Sequence, residues 1–422
     1  MGDSVGEPGR LVVPQSVFDS LAEGHPSALT GRFLAGTARD VSLLLLKAVA
    51  EESGTGPGAW GFDVLTKLHS ASPARVDRVL RYPAVGAWAR ETLRALRRGE
   101  PGRPGLMLTV AAAAALRAGL DFEATVEPAD GLVMLPSVGQ AALDGTSCGI
   151  SVSQGRAELS GRGSRVRVPA APHDDGAGWQ GLRPVAAAAD GLHLRLMIDD
   201  LDPYRFPIAV APRLAAADVR CWRSLLQEAW RLLCRHHRPL ATELRATISV
   251  LTPLNAGAAG PVSGTSQTTF GSVALAPPHD PLLLAETLAH EVQHAKLAAL
   301  LQLVDLVRPE RGERYYAPWR PDHRPIGGLL HGAYAHLGVA AFWRRQRFHE
   351  EDDFAHAEFV RWRNAADEAA EVIEDSGALT PLGRRFVQGM RRTLRSFHRD
   401  RVSAAAVAHA HRAADVHRAR YG

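Results

Sequence analysis

The stretch from Asp280 to Leu301 leaves little choice of structure. Asp280 is a good N-cap and Pro281 suits the first helical position. Leu282, Leu283, Leu284, Leu288, Leu297, Leu300 and Leu301 surround the segment His290-Glu291-Val292-Gln293-His294. In a helix, residues four apart lie about one turn apart on one face. Both imidazoles therefore reach one metal ion, with Glu291 beside it. With 18 His among 422 residues, chance alone yields an HExxH in roughly 4% of such chains. The capped, leucine-rich setting favours a metal role over a structural His pair.

A third ligand must come from elsewhere. The extended motif of metzincins needs Gly and His where this chain has Leu297 and Leu300, so that class fails. A gluzincin arrangement takes a Glu some 18–19 residues beyond the second His, roughly the position of Glu313. The run Arg308-Pro309-Glu310-Arg311-Gly312-Glu313-Arg314 reads as a turn, however. His331, within Gly328-Leu329-Leu330-His331-Gly332-Ala333-Tyr334, lies on an apolar helix where an isolated imidazole needs a partner. It is the preferred candidate.

Length and composition set the frame. A chain of 422 residues suits two or three packed units, and 46% apolar with 22% charged residues is ordinary for a globular protein. The formal net charge of +4 gives no reason to expect nucleic acid as a partner. No apolar run is long enough for a membrane helix, and the start has no signal-peptide pattern. Gly6 stands where N-myristoylation wants Ser or Thr. Cys148, Cys221 and Cys234 are odd in number and lack CxxC spacing. These features predict a cytoplasmic protein. Only Lys47, Lys67 and Lys296 of 49 basic residues are lysine, a bias typical of high-GC bacteria.

The pattern predicts an α+β fold, mainly α. Residues 1–12 read as a flexible tail and 13–120 as a helical N-terminal region. Residues 121–212 alternate with period two and predict a small antiparallel sheet. Residues 213–350 form the HExxH metal-binding core, with short strands expected at 246–251 and 269–276. Residues 351–422 are helical, broken at Ser376-Gly377 and restarted by Thr380-Pro381.

The run LAETLAHEVQHAKLAALLQLVDL, followed by YYAPWRPDHRPIGGLLHGAYAHLGVAAFWRR, resembles the bacterial HExxH peptide-modification family. Weaker echoes of that family are LVVPQSVFDSLAEG, LRYPAVGAWARETL, IDDLDPYRFP and GTSQTTFGSVALAPP. The resemblance implies a 2-oxoglutarate- and Fe(II)-dependent dioxygenase that β-hydroxylates Asp or His in a ribosomally made precursor peptide. Other peptide-maturation enzymes are then expected partners in natural product biosynthesis. His290, His294 and His331 would hold the metal, a set that lacks the carboxylate usual in such oxygenases and so keeps Glu313 in view. Glu291 would orient a ligand or a metal-bound water. The distal carboxylate of 2-oxoglutarate suits a guanidinium, which points to Arg320 or Arg324, with Lys296 as a third candidate. With both motif histidines on one helix, the site is not the jelly-roll site of most such enzymes.

The rival reading is a zinc peptidase, with His290, His294 and Glu313 on zinc and Glu291 as base. A third is a non-catalytic peptide-binding module. Here Arg384, Arg385, Arg391, Arg392, Arg395 and Arg399 would face an acidic leader across from the apolar stripe Leu382, Phe386, Met390, Leu394, Phe397. The Gly145–Gly149 segment matches GxSxG, but strand-like alternation after it argues against a nucleophile elbow.

Overall fold

The computed structural model describes residues 12–207, 210–255, 263–276, 279–309, 312–350 and 353–422. Residues 1–11 of the expected flexible tail lie outside the described residues.

Six helices come first: α1 (Gln15–Ala22), α2 (Ala28–Glu52), α3 (Pro57–Ala71), α4 (Pro73–Leu80), α5 (Pro83–Arg97) and α6 (Met107–Ala118). Prolines open α3, α4 and α5, where the missing N–H costs nothing. Gly119 ends α6 in the left-handed conformation at φ 73°. Nine strands follow: β1 (Phe122–Val126), β2 (Leu132–Leu135), β3 (Gly139–Ala142), β4 (Cys148–Ser153), β5 (Arg156–Ser160), β6 (Arg165–Arg167), β7 (Trp179–Gly181), β8 (Arg183–Ala189) and β9 (Leu192–Ile198). Then come α7 (Ala216–His236), α8 (Arg238–Thr247), β10 (Val250–Pro253), β11 (Ser263–Gly264), β12 (Ser272–Leu275) and α9 (Pro281–Leu300). The chain closes with α10 (Ile326–Gln346), α11 (Phe354–Asp375), α12 (Pro381–Phe397) and α13 (Ala404–Tyr421). The fold is α+β and mainly helical.

The strands divide among three sheets rather than one. Their orders are β1-β4-β5-β6, β2-β3-β7 and β11-β12-β10-β9-β8. The first two are antiparallel, as the alternation predicts. The third is mixed, because β10 runs parallel to both β9 and β12. A parallel pair needs a long crossover, and α7 with α8 supplies the one from β9 to β10. The third sheet therefore joins strands on both sides of residue 212. The helical run expected after residue 351 carries a second break, past Phe397, where Ser403 caps α13 by accepting from Ala406 N.

Two apolar cores result. One packs α2–α6 against β1–β7 and includes Leu46, Trp88, Ile150 and Trp179. The other gathers α1 and α7–α12 round β8, β9 and β12, with Trp222, Trp230, Leu288, Leu329 and Phe386 at its centre. Each such side chain contributes about 1.5–3 kcal/mol by leaving water. Within the second core lies a buried ion pair. Lys296 on α9 reaches Glu243 on α8 at 3.1 Å, and Glu243 also accepts from Ser27 N at 2.8 Å at the start of α2. Residues far apart in sequence meet at α12. Phe18 packs edge-on to Phe386 at 6.0 Å, Arg385 pairs with Asp19, and Thr393 donates to the Glu23 carbonyl. The stripe on α12 is thus packed from Phe386 to Phe397, with Leu382 exposed, and several of the helix's arginines are already paired. Among the described residues no helix is long and apolar enough to cross a membrane.

Candidate metal centre

The cap expected of Asp280 forms: its carboxylate accepts from Leu282 N at 2.9 Å. From there α9 carries His290 and His294 one turn apart, with ring centres 4.6 Å from each other. Helix α10 brings two more imidazoles. His336 lies 5.1 Å from His290, and His331 lies 5.8 Å from His294. The early histidine of one helix faces the late histidine of the other, so α9 and α10 run antiparallel. Two imidazoles bound to one ion at about 2.0–2.1 Å, 90–110° apart, have ring centres about 4.5–5.2 Å apart. Two of the three spacings meet that, and the third is slightly wide. Among the described residues no three His, Cys, Asp or Glu groups already converge at ligand spacing. The buried Nε2 of His331 has no hydrogen-bond partner among the described residues.

The electrostatics suit a cation ligand set. Burial drives His294 down to about 3 and His331 down to about 4, and holds His336 well below the ordinary histidine value. All three imidazoles are neutral at pH 7 and offer lone pairs. His336 donates from Nδ1 to the Gly332 carbonyl at 2.8 Å, which leaves its Nε2 as the free acceptor. Glu291 is fully buried. Its Oε1 accepts from Ser263 Oγ at 2.7 Å and from His290 Nδ1 at 3.1 Å, while Oε2 has no partner among the described residues. Burial raises its pKa, but the His290 hydrogen bond, the electrostatic pull of the two motif histidines and the Ser263 bond outweigh it and keep the carboxyl below its usual range. A carboxylate on Nδ1 orients the ring and directs its Nε2 outward.

Sequence reasoning passed over His336; the available signal was a second imidazole in the same apolar helix. In space it is held between Trp319 at 4.5 Å and Trp362 at 4.6 Å. Trp319 reaches it only because residue 332 is glycine: a Cβ there would lie 2.3 Å from the indole. Beside these rings is a cavity of about 220 Å³ lined by Ser263, Glu286, Thr287, His290, His336 and Trp362. Arg361, on α11, acts electrostatically on both His336 and Glu286. Its guanidinium lies 4.3 Å from the Trp362 ring.

The other sequence candidates are engaged elsewhere. Arg320 and Arg324 both bond Asp322, at 2.8 and 3.1 Å, on a loop closed by reciprocal Tyr315–Arg324 backbone bonds of 2.8 Å. Lys296 is fully buried against Glu243. None of the three lines the histidine cavity. A nearby carboxylate pairs with each of these cations. Glu313 is exposed, accepts from Tyr315 OH at 2.7 Å, and lines a different cavity with Arg308 and Ser376.

One pH effect follows for the metal-free protein. Because His331 has its pKa lowered to about 4, the unfolded chain binds a proton that the fold excludes between about pH 6.5 and that value. Its contribution is complete above about pH 6.5 and is lost as pH falls through that window. In His331→Asn the slope of unfolding free energy against pH should therefore fall by up to one proton, about 1.4 kcal/mol per pH unit. Urea denaturation at successive pH values measures it; parallel wild-type and variant slopes would refute it.

No protein-family model matches the chain, and no curated protein matches it.

Proposed function

We propose that this protein is an Fe(II)- and 2-oxoglutarate-dependent peptide hydroxylase, acting on the β-carbon of an Asp or His in a ribosomally made precursor. The observation that carries this reading is the position of Glu291. In a metallopeptidase the motif glutamate takes a proton from the attacking water and must face the cleft. Here it is sealed from solvent, and its Oε1 is engaged by both His290 and Ser263. That supports an orienting role over a basic one, and neutral imidazole ligands suit iron as well as zinc. The resemblance of the HEVQHAKL and YYAPWRPDHRP blocks supplies the substrate class.

Bound iron with 2-oxoglutarate and O2 supplies the oxidising power: one oxygen atom ends in the new hydroxyl, the other in succinate, and CO2 leaves. The chain's own residues do the rest. Glu291 fixes the His290 tautomer, Gly332 fixes that of His336, and the two tryptophans exclude water from one side of the cavity. For the distal carboxylate of 2-oxoglutarate, Arg361, held by Glu358 at 3.3 Å and acting electrostatically on His336 and Glu286, joins Arg320, Arg324 and Lys296 as a candidate.

Two experiments test the reading. In Glu291→Gln the amide keeps the shape and one acceptor oxygen, so 2-oxoglutarate-dependent hydroxylation of an acidic precursor peptide should survive substantially. A peptidase losing its general base would fall by roughly 10²–10⁴. Mass spectrometry reads both, as an added oxygen or a cut backbone. Cleavage by the zinc-loaded wild type, abolished in the variant and indifferent to 2-oxoglutarate, would establish the peptidase instead. Arg361→Ala should raise the 2-oxoglutarate requirement with iron still bound. An unchanged requirement, or the same rise in Arg320→Ala or Arg324→Ala, would remove Arg361 from the role.

A further inference from the structure

Helix α9 has a second working face. Where His290 and His294 point to the metal site, Ala289, Val292 and Gln293 line another cavity, of about 760 Å³. The two sites are separated by little more than the thickness of α9 and α10, since Ala341 and Phe342 of α10 complete this wall. Leu240 and Phe397 add to an apolar floor, and Phe348 stands 68% exposed at the edge.

Three features of this cavity call for a ligand of one kind. The apolar floor needs an apolar body. The lining includes four arginines, Arg344, Arg345, Arg347 and Arg401, against two carboxylates. Asp400 is shared by Arg344 at 2.8 Å and Arg347 at 2.7 Å, and Glu243 is held by Lys296 at 3.1 Å. The guanidinium groups of Arg345 and Arg401 have no hydrogen-bond or ion-pair partner among the described residues, so an occupant with carboxylates is favoured. The third feature is Gln293, which is only 3% exposed. Its Nε2 donates to the Gly24 carbonyl at 2.9 Å, and its Oε1 is buried with no partner among the described residues. An amide oxygen left so requires an N–H donor. A fatty acid brings the apolar body and the carboxylate but no N–H. A peptide with acidic and apolar side chains brings all three.

We propose that this cavity is a docking site for an acidic, apolar peptide segment, distinct from the site where chemistry occurs. That the segment belongs to the precursor peptide rests on the proposed function; the docking site itself does not. Its occupant contacts Gln293, the residue before a metal-site histidine, so docking bears directly on the helix that carries His290 and His294.

The test is fluorescence anisotropy on the full chain, metal-free and Fe(II)-loaded under argon. The probe is a fluorescein-labelled peptide of leucine and glutamate, compared with its leucine–lysine counterpart. Dodecanoate serves as competitor. The acidic peptide should bind, weaken with added salt, and bind equally without metal, which separates this result from the fate of the hydroxylase reading. The double variant R345E/R401E, altered only at unpartnered arginines, should lose about tenfold or more in affinity. Gln293→Leu should weaken the peptide but not dodecanoate. Equal binding of acidic and basic peptides, no loss in R345E/R401E, or binding of dodecanoate alone would overturn the proposal.

Discussion

His294→Ala is expected to abolish stable metal binding. The residue sits between the other imidazoles, and its lone pair is kept free of protons down to about pH 3. Losing an outer-shell partner typically costs 10–100-fold in metal affinity, and losing a ligand should cost more than about 100-fold. Titration with Co(II), followed by its visible spectrum and by calorimetry, measures this. His290→Ala should behave alike, and both variants should keep their far-UV circular dichroism. Unchanged affinity in either would end the metal reading. The same titration ranks the third ligand. His331→Ala and His336→Ala are both expected to weaken binding far more than Glu313→Ala, because Glu313 is bonded to Tyr315 on an exposed loop. The reverse order would favour the zinc peptidase.

Lys296→Met should produce the largest loss of stability. Lys296 and Glu243 are both shut away from water, and removing one partner leaves the other charge buried. Such a break costs about 3–5 kcal/mol, against a total stability of about 5–15 kcal/mol for a folded domain. Glu243→Gln in the same chain should restore most of the loss, since a neutral amide oxygen can still accept from Ser27 N. Urea unfolding of the single and double variants checks both statements. A double variant no more stable than Lys296→Met would mean that packing, not charge, sets the cost. The result also bears on function, because Lys296 lies two residues past His294 on α9.

Local signals in the sequence were read correctly where local chemistry decides. Asp280-Pro281 opened α9, Gly119 closed α6, and Thr380-Pro381 opened α12, because capping and fixed φ act within one turn. The i, i+4 spacing of His290 and His294 survived for the same reason. What escaped depends on neighbours distant along the chain. β10 is buried on both faces, so it shows no alternation to reveal its parallel partners β9 and β12. His336 looked like any core histidine until Gly332, Trp319 and Trp362 closed round it. Lys296 looked available because Glu243 is 53 residues away. Arg361 carried no signal at all, since its relation to the cavity is set by how α11 packs on α10.

The seating of α1 on α12 governs when this protein can fold during its synthesis. Asp19 pairs with Arg385 and Glu23 accepts from Thr393, while Leu21 accepts from Tyr334 OH of α10. As the ribosome works from the N-terminus, the first of these helices waits exposed while more than three hundred residues are added. The histidine-bearing helices emerge before α12, so the core beneath them stays open until that last strip is delivered. A nascent chain arrested short of Phe386 therefore leaves Phe18 without its edge-on aromatic partner and part of the apolar face of α1 uncovered.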